Sequence, residues 1–266
     1  MRWNEPRTEK ITLNRQAGLV YQVWNRNFLQ FKRSWMLSLL WIVIEPLFTL
    51  GAVGYGLGSF VATMDGMSYL EFFFPALLCT SSMFVAYFVS TYDNFSKLTF
   101  QRLFATQITT AIEPHEIVLG EVLWGATKGT ISAMGVSLVA SMFGLIETWR
   151  IIPALGVVAI SCLFFSCFGM LITTFVRNYD QIIYPSSGLI IPMSLFSGTY
   201  FPINHLPYGL KYLAYIFPLT HAVRMVRGIL VTGFDVWMIF NLAYLLLLIY
   251  LLVKWCSVRL ADKVLN

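Results

Sequence analysis

Glu45, Glu71, Glu121 and Lys128 stand inside long stretches that are otherwise apolar. A carboxylate or ammonium at the centre of a bilayer-spanning helix costs about 2.5–3.5 kcal/mol on insertion scales, so each needs a partner or a task. Glu121 and Lys128 are seven apart, two turns along nearly one helix face. They can pair through an intervening group or a neighbouring helix. One reading makes them part of a path for a polar substrate. The other is structural, with Glu121 reaching the cytoplasmic interface and Lys128 bonding a carbonyl of another span. Glu45 precedes Pro46 and fits a structural role beside the kink that an internal proline imposes. A proton relay through Glu45, Glu121 and Lys128 is a third reading, and would make the chain an ion-driven carrier.

His221, Arg224 and Arg227 follow one another at intervals of three on a helical piece. They contact an anionic substrate group at an outer gate, or they snorkel to outer-leaflet phosphates. The second span is rich in aromatic residues, from Phe72, Phe73 and Phe74 to Phe84, Tyr87, Phe88 and Tyr92. Rings of this kind guide sugar faces, with Tyr87 and Tyr92 as candidate path residues. Most aromatic residues of a membrane helix face lipid or mark its interface instead.

Soluble enzyme chemistry finds no support. There is no G-x-S-x-G, no H-E-x-x-H and no Cys/His cluster, and His115, His205 and His221 lie in separate segments. Cys79, Cys162, Cys167 and Cys256 show neither a disulfide framework nor a zinc spacing. No Walker A pattern occurs, so any ATP-powered step requires an ATPase on another polypeptide.

The elements that position these residues are membrane helices. Hydrophobic residues make up 58% of the 266 and charged residues only 12%. Backbone amides find no water in a bilayer, so such stretches cross it as helices. Six spans are expected, near 35–60, 69–92, 117–145, 151–175, 182–200 and 234–253. Ahead of them, Leu13, Ala17, Val20, Trp24, Phe28 and Phe31 form one stripe opposite Arg15, Gln22, Arg26 and Arg33. That pattern predicts an amphipathic helix lying in the interface. Residues 201–233 are broken by Pro202, Pro207 and Pro218, yet are too apolar for a free loop. They predict a re-entrant helical hairpin near the outer face. The expected plan is therefore all-α. A cytoplasmic segment covers 1–34, a six-span domain 35–253 and a tail 254–266, with a cytoplasmic segment at 93–116 inside the domain.

Orientation follows the basic residues. Thirteen Lys and Arg fall on one side: seven in the first 34 residues, then Lys97, Arg102, Arg177, Lys254, Arg259 and Lys263. Arg150, Lys211, Arg224 and Arg227 fall on the other. Both termini are thus expected in the cytoplasm of a multi-pass plasma-membrane protein. The short outer turns carry Asp65 and Glu147. The net charge of +5 crowds beside the membrane and reads as contact with acidic headgroups, not nucleic acid. The first 34 residues lack the continuous apolar core of a cleaved signal peptide, so the first span is expected to direct insertion. Gly54 with Gly58, and Gly125 with Gly129, make small-residue faces for close helix packing.

Residues 195–228 (LFSGTYFPINHLPYGLKYLAYIFPLTHAVRMVRG) carry Ser-Gly, Phe-Pro, Leu-Pro and then Pro-Leu-Thr-His to Arg-Gly. With 106–129 (TQITTAIEPHEIVLGEVLWGATKG), they resemble the permeases of ABC type-2 exporters. Within that family the chain is most similar to the branch that exports lipo-chitin nodulation oligosaccharides. The resemblance implies a half-transporter, in which two copies of the chain work with two ATPase chains that bind ATP and Mg. It implies a coupling helix at 94–106, with Phe95, Lys97, Phe100, Arg102 and Phe104 facing the ATPase. The turn at 177–181, with Arg177 and Asp180, would add contacts. The implied cargo is a lipid-linked or amphiphilic glycan, and the same architecture also serves efflux of hydrophobic drug-like molecules.

Overall fold

The amphipathic stripe near the amino terminus folds as helix α1 (Leu13–Arg33). A computed structural model describes residues 13–265 apart from 62, 65, 111, 147 and 148. Arg2, Arg7, Lys10, Asp65 and Glu147 lie outside the described residues. One face of α1 buries Val23 and Asn27, while Tyr21, Phe28 and Leu29 stay exposed.

Helix α2 (Trp35–Thr49) contains Pro46 and passes into wider π-helical turns over Leu50–Leu57. Helix α3 (Tyr69–Phe88) starts at a capping box: the Glu71 amide donates to Ser68 Oγ at 3.3 Å, and the Ser68 amide donates to Glu71 Oε2 at 2.9 Å. Two orphan amides of the first turn are satisfied in this way. The helix then runs through a π segment (Val89–Asp93) directly into α4 (Asn94–Thr99). Tyr69–Thr99 is thus one helical run of 31 residues. The second span was expected to stop near 92. It continues because no Gly or Pro interrupts 89–99.

The break comes at Arg102, whose φ of 49° is the one positive value among described non-glycine residues. Helix α5 (Leu103–Ile108) follows, then α6 (Pro114–Met142), with Pro114 at its first turn and the Glu113 amide donating to Glu116 Oε2 at 2.9 Å. Helix α7 (Ile151–Phe175) leads to α8 (Asp180–Pro185), a π segment (Ser186–Ile190) and α9 (Ile191–Phe196). The proline-rich piece folds as a 3-10 turn (Ile203–His205) and two short helices, α10 (Tyr208–Ile216) and α11 (Pro218–Arg227), parted at Phe217. A π segment (Gly228–Thr232) and α12 (Trp237–Leu265) complete the chain.

The described residues contain helices, with only an isolated bridge between Met64 and Met67. Among them, three helices are long and apolar enough to cross a membrane: Tyr69–Thr99, Ile151–Phe175 and Trp237–Val264. The chain is an all-α membrane protein. Helix α6 is also long, but Gly, Ser, Thr and the charges of Glu116, Glu121 and Lys128 dilute its apolar residues.

Helix α6 packs on α7, α3, α1, α2 and α12, which places it at the centre. Its glycines allow that. Gly125 faces the Ser90 and Ser166 hydroxyls, which lie 2.5 Å from each other. A Cβ on Gly129 would stand 2.7 Å from Cys162 Sγ and 2.9 Å from the Ser82 carbonyl oxygen. Gly54 meets the Leu70 side chain, whereas Gly58 has only ordinary contact with Tyr69, so a side chain at 58 would be tolerated.

Candidate functional site

Helix α1 delivers Arg26 and Asn27, α4 delivers Lys97, and α6 delivers Glu121 to one point. Glu121 is 1% exposed. Its Oε1 accepts from Arg26 Nη2 at 2.5 Å. Its Oε2 accepts from Lys97 Nζ at 2.6 Å and from Asn27 Nδ2 at 2.9 Å. Lys97 also donates to Asn94 Oδ1 at 3.3 Å, and Asn94 Nδ2 points at Met170 Sδ of α7. Both carboxylate oxygens are thus taken up by donors, and the buried Lys97 has its counter-charge there. Close approach is possible because Gly120 of α6 lies under Val23 of α1.

Glu121 and Lys128 do not pair. Lys128 instead lies 5.7 Å from the Phe31 ring and 5.9 Å from the Trp124 ring. The spacing of seven puts both residues on one face, but Arg26, Asn27 and Lys97 take both Glu121 oxygens while Lys128 rests on ring faces. In the sequence Arg26 reads only as part of the polar face of the amphipathic helix, and Asn27 carries no signal. A polar pair on α1 looks like a solvated face until the facing glycine is known.

The segment implied to dock an ATPase divides in two. Phe95 and Phe104 are fully buried and Lys97 is spent on Glu121. These three therefore anchor the segment to its own subunit and do not face outward. Phe104 packs with Ile117, Val118 and Leu260. Phe100, 66% exposed, and the exposed Arg102 form the outward part. Phe100 stacks on Tyr179 at 5.6 Å between ring centroids, and Phe95 meets the same ring edge-on at 4.8 Å. Tyr92 stacks on its other side at 5.9 Å. Tyr179 thus joins this segment to the turn that holds Arg177 and Asp180, both exposed. The Arg177 amide donates to Gln181 Oε1 and the Gln181 amide to Asn178 Oδ1, which shapes that turn. An aromatic residue in an otherwise polar turn was the available signal for Tyr179.

A second concavity, about 480 Å³, is lined by Glu45, Ser81, Phe84, Val85, Phe88, Val89 and Ser132. Glu45 Oε2 accepts from Ser81 Oγ at 3.3 Å and its Oε1 from Thr49 Oγ1 at 3.4 Å. Phe84 and Phe88 stack in parallel at 5.9 Å and make its aromatic wall. Tyr87 is buried behind this wall, its ring edge-on to Phe88 at 5.3 Å and its hydroxyl 3.2 Å from Ser186 Oγ. Glu71 lies elsewhere, holding the α3 cap beside a separate hollow with Phe74 and Pro75.

The three basic residues of α11 part company. Arg227 Nη2 donates to the carbonyls of Gly198 at 2.8 Å and Phe72 at 3.1 Å, and its guanidinium lies 3.9 Å from the Phe72 ring centroid. Nε2 of His221 donates to the Tyr215 carbonyl at 2.9 Å, and Nδ1 lies 2.7 Å from Asn241 Oδ1. Arg224 reaches over the Tyr215 ring at 5.5 Å and is exposed. Arg224 and Arg227 line a small hollow with Asp235 and Asn241.

A helical membrane subunit with a charged hub at one end and a bent helical pair at the other is the class these features define. Residues 18–231 match the ABC-2 type transporter family, and the chain belongs to it. It is similar to Nodulation protein J of Rhizobium leguminosarum bv. viciae, 34% identical over 205 residues, 77% of this chain and 79% of that protein. Nodulation protein J of Rhizobium meliloti is 34% identical over 208 residues, 78% and 79% of the two chains. The Inner membrane transport permease YadH of Escherichia coli is 25% identical over 233 residues, 85% of this chain and 91% of that one.

Proposed function

We propose that the chain is the membrane half of an ATP-driven exporter in the bacterial inner membrane. Two copies pair, and two separate ATPase chains bind ATP and Mg beneath them. The chain crosses six times with both termini in the cytoplasm, α1 lies in the interface, and α10–α11 form a re-entrant hairpin on the outer side. The cargo is a lipid-linked or amphiphilic glycan, the class that the resemblance to nodulation-oligosaccharide exporters implies.

The observation that carries this reading is the Phe100–Tyr179 stack. It presents an exposed aromatic and basic surface on a segment fastened to its own subunit by Phe95, Phe104 and the Lys97–Glu121 pair. Aromatic residues and Arg are the usual anchors of a protein interface. A surface so anchored can pass a pull to the spans without folding away. Glu45, Phe84 and Phe88 offer an apolar wall with one polar group, suited to an amphiphile. Its apolar character also favours the second reading, efflux of hydrophobic drug-like molecules.

Co-purification with an ATPase from a neighbouring reading frame, followed by cargo-stimulated ATP turnover in vesicles, tests the proposal. Stimulation by a lipo-oligosaccharide supports the first cargo class; stimulation by hydrophobic drugs alone supports the second. Full transport by the chain without any ATPase, or protease cleavage of 94–106 from outside the cell, would defeat both.

A further inference from the structure

A cavity of about 270 Å³ opens where α1, α4 and α6 meet, lined among others by Gln30, Phe31, Ser96, Gln101, Trp124 and Lys128. Its wall is polar at the rim and aromatic at the back. Glu121 stands behind that wall with both oxygens taken by Arg26, Asn27 and Lys97. It offers nothing to the cavity. Lys128 is different. It is partly buried, it rests on the Phe31 and Trp124 rings, and among the described residues it has no hydrogen bond or ion pair. An ammonium in such a place is stabilised by ring faces only in part, and an anion at van der Waals distance stabilises it far more.

Charge counting points the same way. The cavity and the groups bonded to its wall hold three cations, Arg26, Lys97 and Lys128, against two carboxylates, Glu121 and Asp93. One positive charge is left over. Gln30, Ser96 and Gln101 supply neutral donors around it. Asp93 at the rim acts on Lys128 through its field without closing an ion pair, and it repels a second negative charge, so the set favours a singly charged group.

We infer that this cavity binds the singly anionic phosphodiester head of an inner-leaflet amphiphile, with Lys128 as its charge partner and Trp124 and Phe31 as the platform beneath. The inference rests on the topology proposed above, which sets the mouth of the cavity at the inner headgroup level. Lys128 lies seven residues, about 10 Å, beyond Glu121 along α6. The head enters past Gln30 and Gln101, and its chains remain in the leaflet beside α1. The sequence is compatible with a substrate path, a carbonyl contact or a proton relay for Lys128; its place in the cavity separates it from Glu121 and gives it a ligand of its own.

Phosphorus NMR of the purified full chain in a neutral detergent tests this without ATP or any ATPase. Failure of the exporter reading and failure of this site are therefore read separately. The probes are dihexanoyl phosphatidylglycerol, dihexanoyl phosphatidylcholine and inorganic phosphate. The phosphatidylglycerol resonance should broaden on binding. Lys128→Met should weaken that binding by roughly tenfold to a hundredfold, the worth of one hydrogen bond to a charged group. Lys128→Arg should keep it. Should Lys128→Met fail to fold, Gln30→Ala with Gln101→Ala decides, and unchanged binding in that rim pair overturns the site. Equal binding of phosphatidylcholine, or unchanged binding by folded Lys128→Met, overturns it as well. Competition by inorganic phosphate at equal concentration would replace the lipid source with a free anion and sink the amphiphile assignment.

Discussion

The two ends of the molecule both hold cations inside protein, but they neutralise them in opposite ways. At the α1–α4–α6 end, Arg26 and Lys97 share the single carboxylate of Glu121. At the α11 end, Arg227 is held by two backbone carbonyls and the face of Phe72. A carboxylate that serves two helices is a point on which both depend, and its loss strands two charges at once. Backbone carbonyls cannot be mutated away, and loss of Arg227 leaves the Gly198 and Phe72 oxygens as neutral acceptors. The first arrangement ties separate elements firmly; the second positions one helix with less at stake.

The sharpest break of this contrast is Glu121→Ala. It should destabilise the chain by about 3–5 kcal/mol, because Lys97 remains buried, and Arg26 half-buried, without a counter-charge. Thermal unfolding in detergent reads it, and a double variant that also carries Lys97→Met should recover part of the loss. Arg227→Ala should cost less, about 2 kcal/mol, because the acceptors it leaves at Gly198 and Phe72 are neutral carbonyls. A loss equal to that of Glu121→Ala would erase the distinction between the two ends. Gly129→Ala probes the seam between them: the new Cβ must displace Cys162 or the Ser82 carbonyl, for about 1.5 kcal/mol. The combined Phe100→Ala and Arg102→Ala variant should cost about 1 kcal/mol, the worth of the exposed Phe100–Tyr179 stack. ATP hydrolysis by the assembled complex should nevertheless lose its link to export. Unchanged export would remove these two residues from the coupling surface.

The helical membrane character was plain from composition, and the apolar stretches fall where helices form. What could not be read was which charges meet. Arg26 is 95 residues from Glu121 and Lys97 is 24 away, and both look like ordinary topology charges in the sequence. Periodicity says which face a residue occupies, not which helix lies opposite. The coupling segment misled for a related reason. Phe95 and Phe104 were grouped with Phe100 as one docking face, but the left-handed turn at Arg102 splits the segment into two short helices with different inner sides. Glu71 is the contrary case. The Ser68-x-x-Glu71 pattern ahead of an apolar run is itself a helix-start signature, and it accounts for that carboxylate without any substrate.

The unbroken run from Tyr69 to Thr99 carries one more implication. At 1.5 Å per residue its 31 residues measure about 46 Å along the axis, against a hydrocarbon layer of about 30 Å. It is therefore a shaft longer than the hydrocarbon layer is thick. Phe72, whose carbonyl and ring hold Arg227, is fixed near one tip, and Lys97, which grips Glu121, near the other. Torque applied at the lower tip has a stiff axle on which to reach the upper one, with the π turns at Val89–Asp93 as the place where that axle can give.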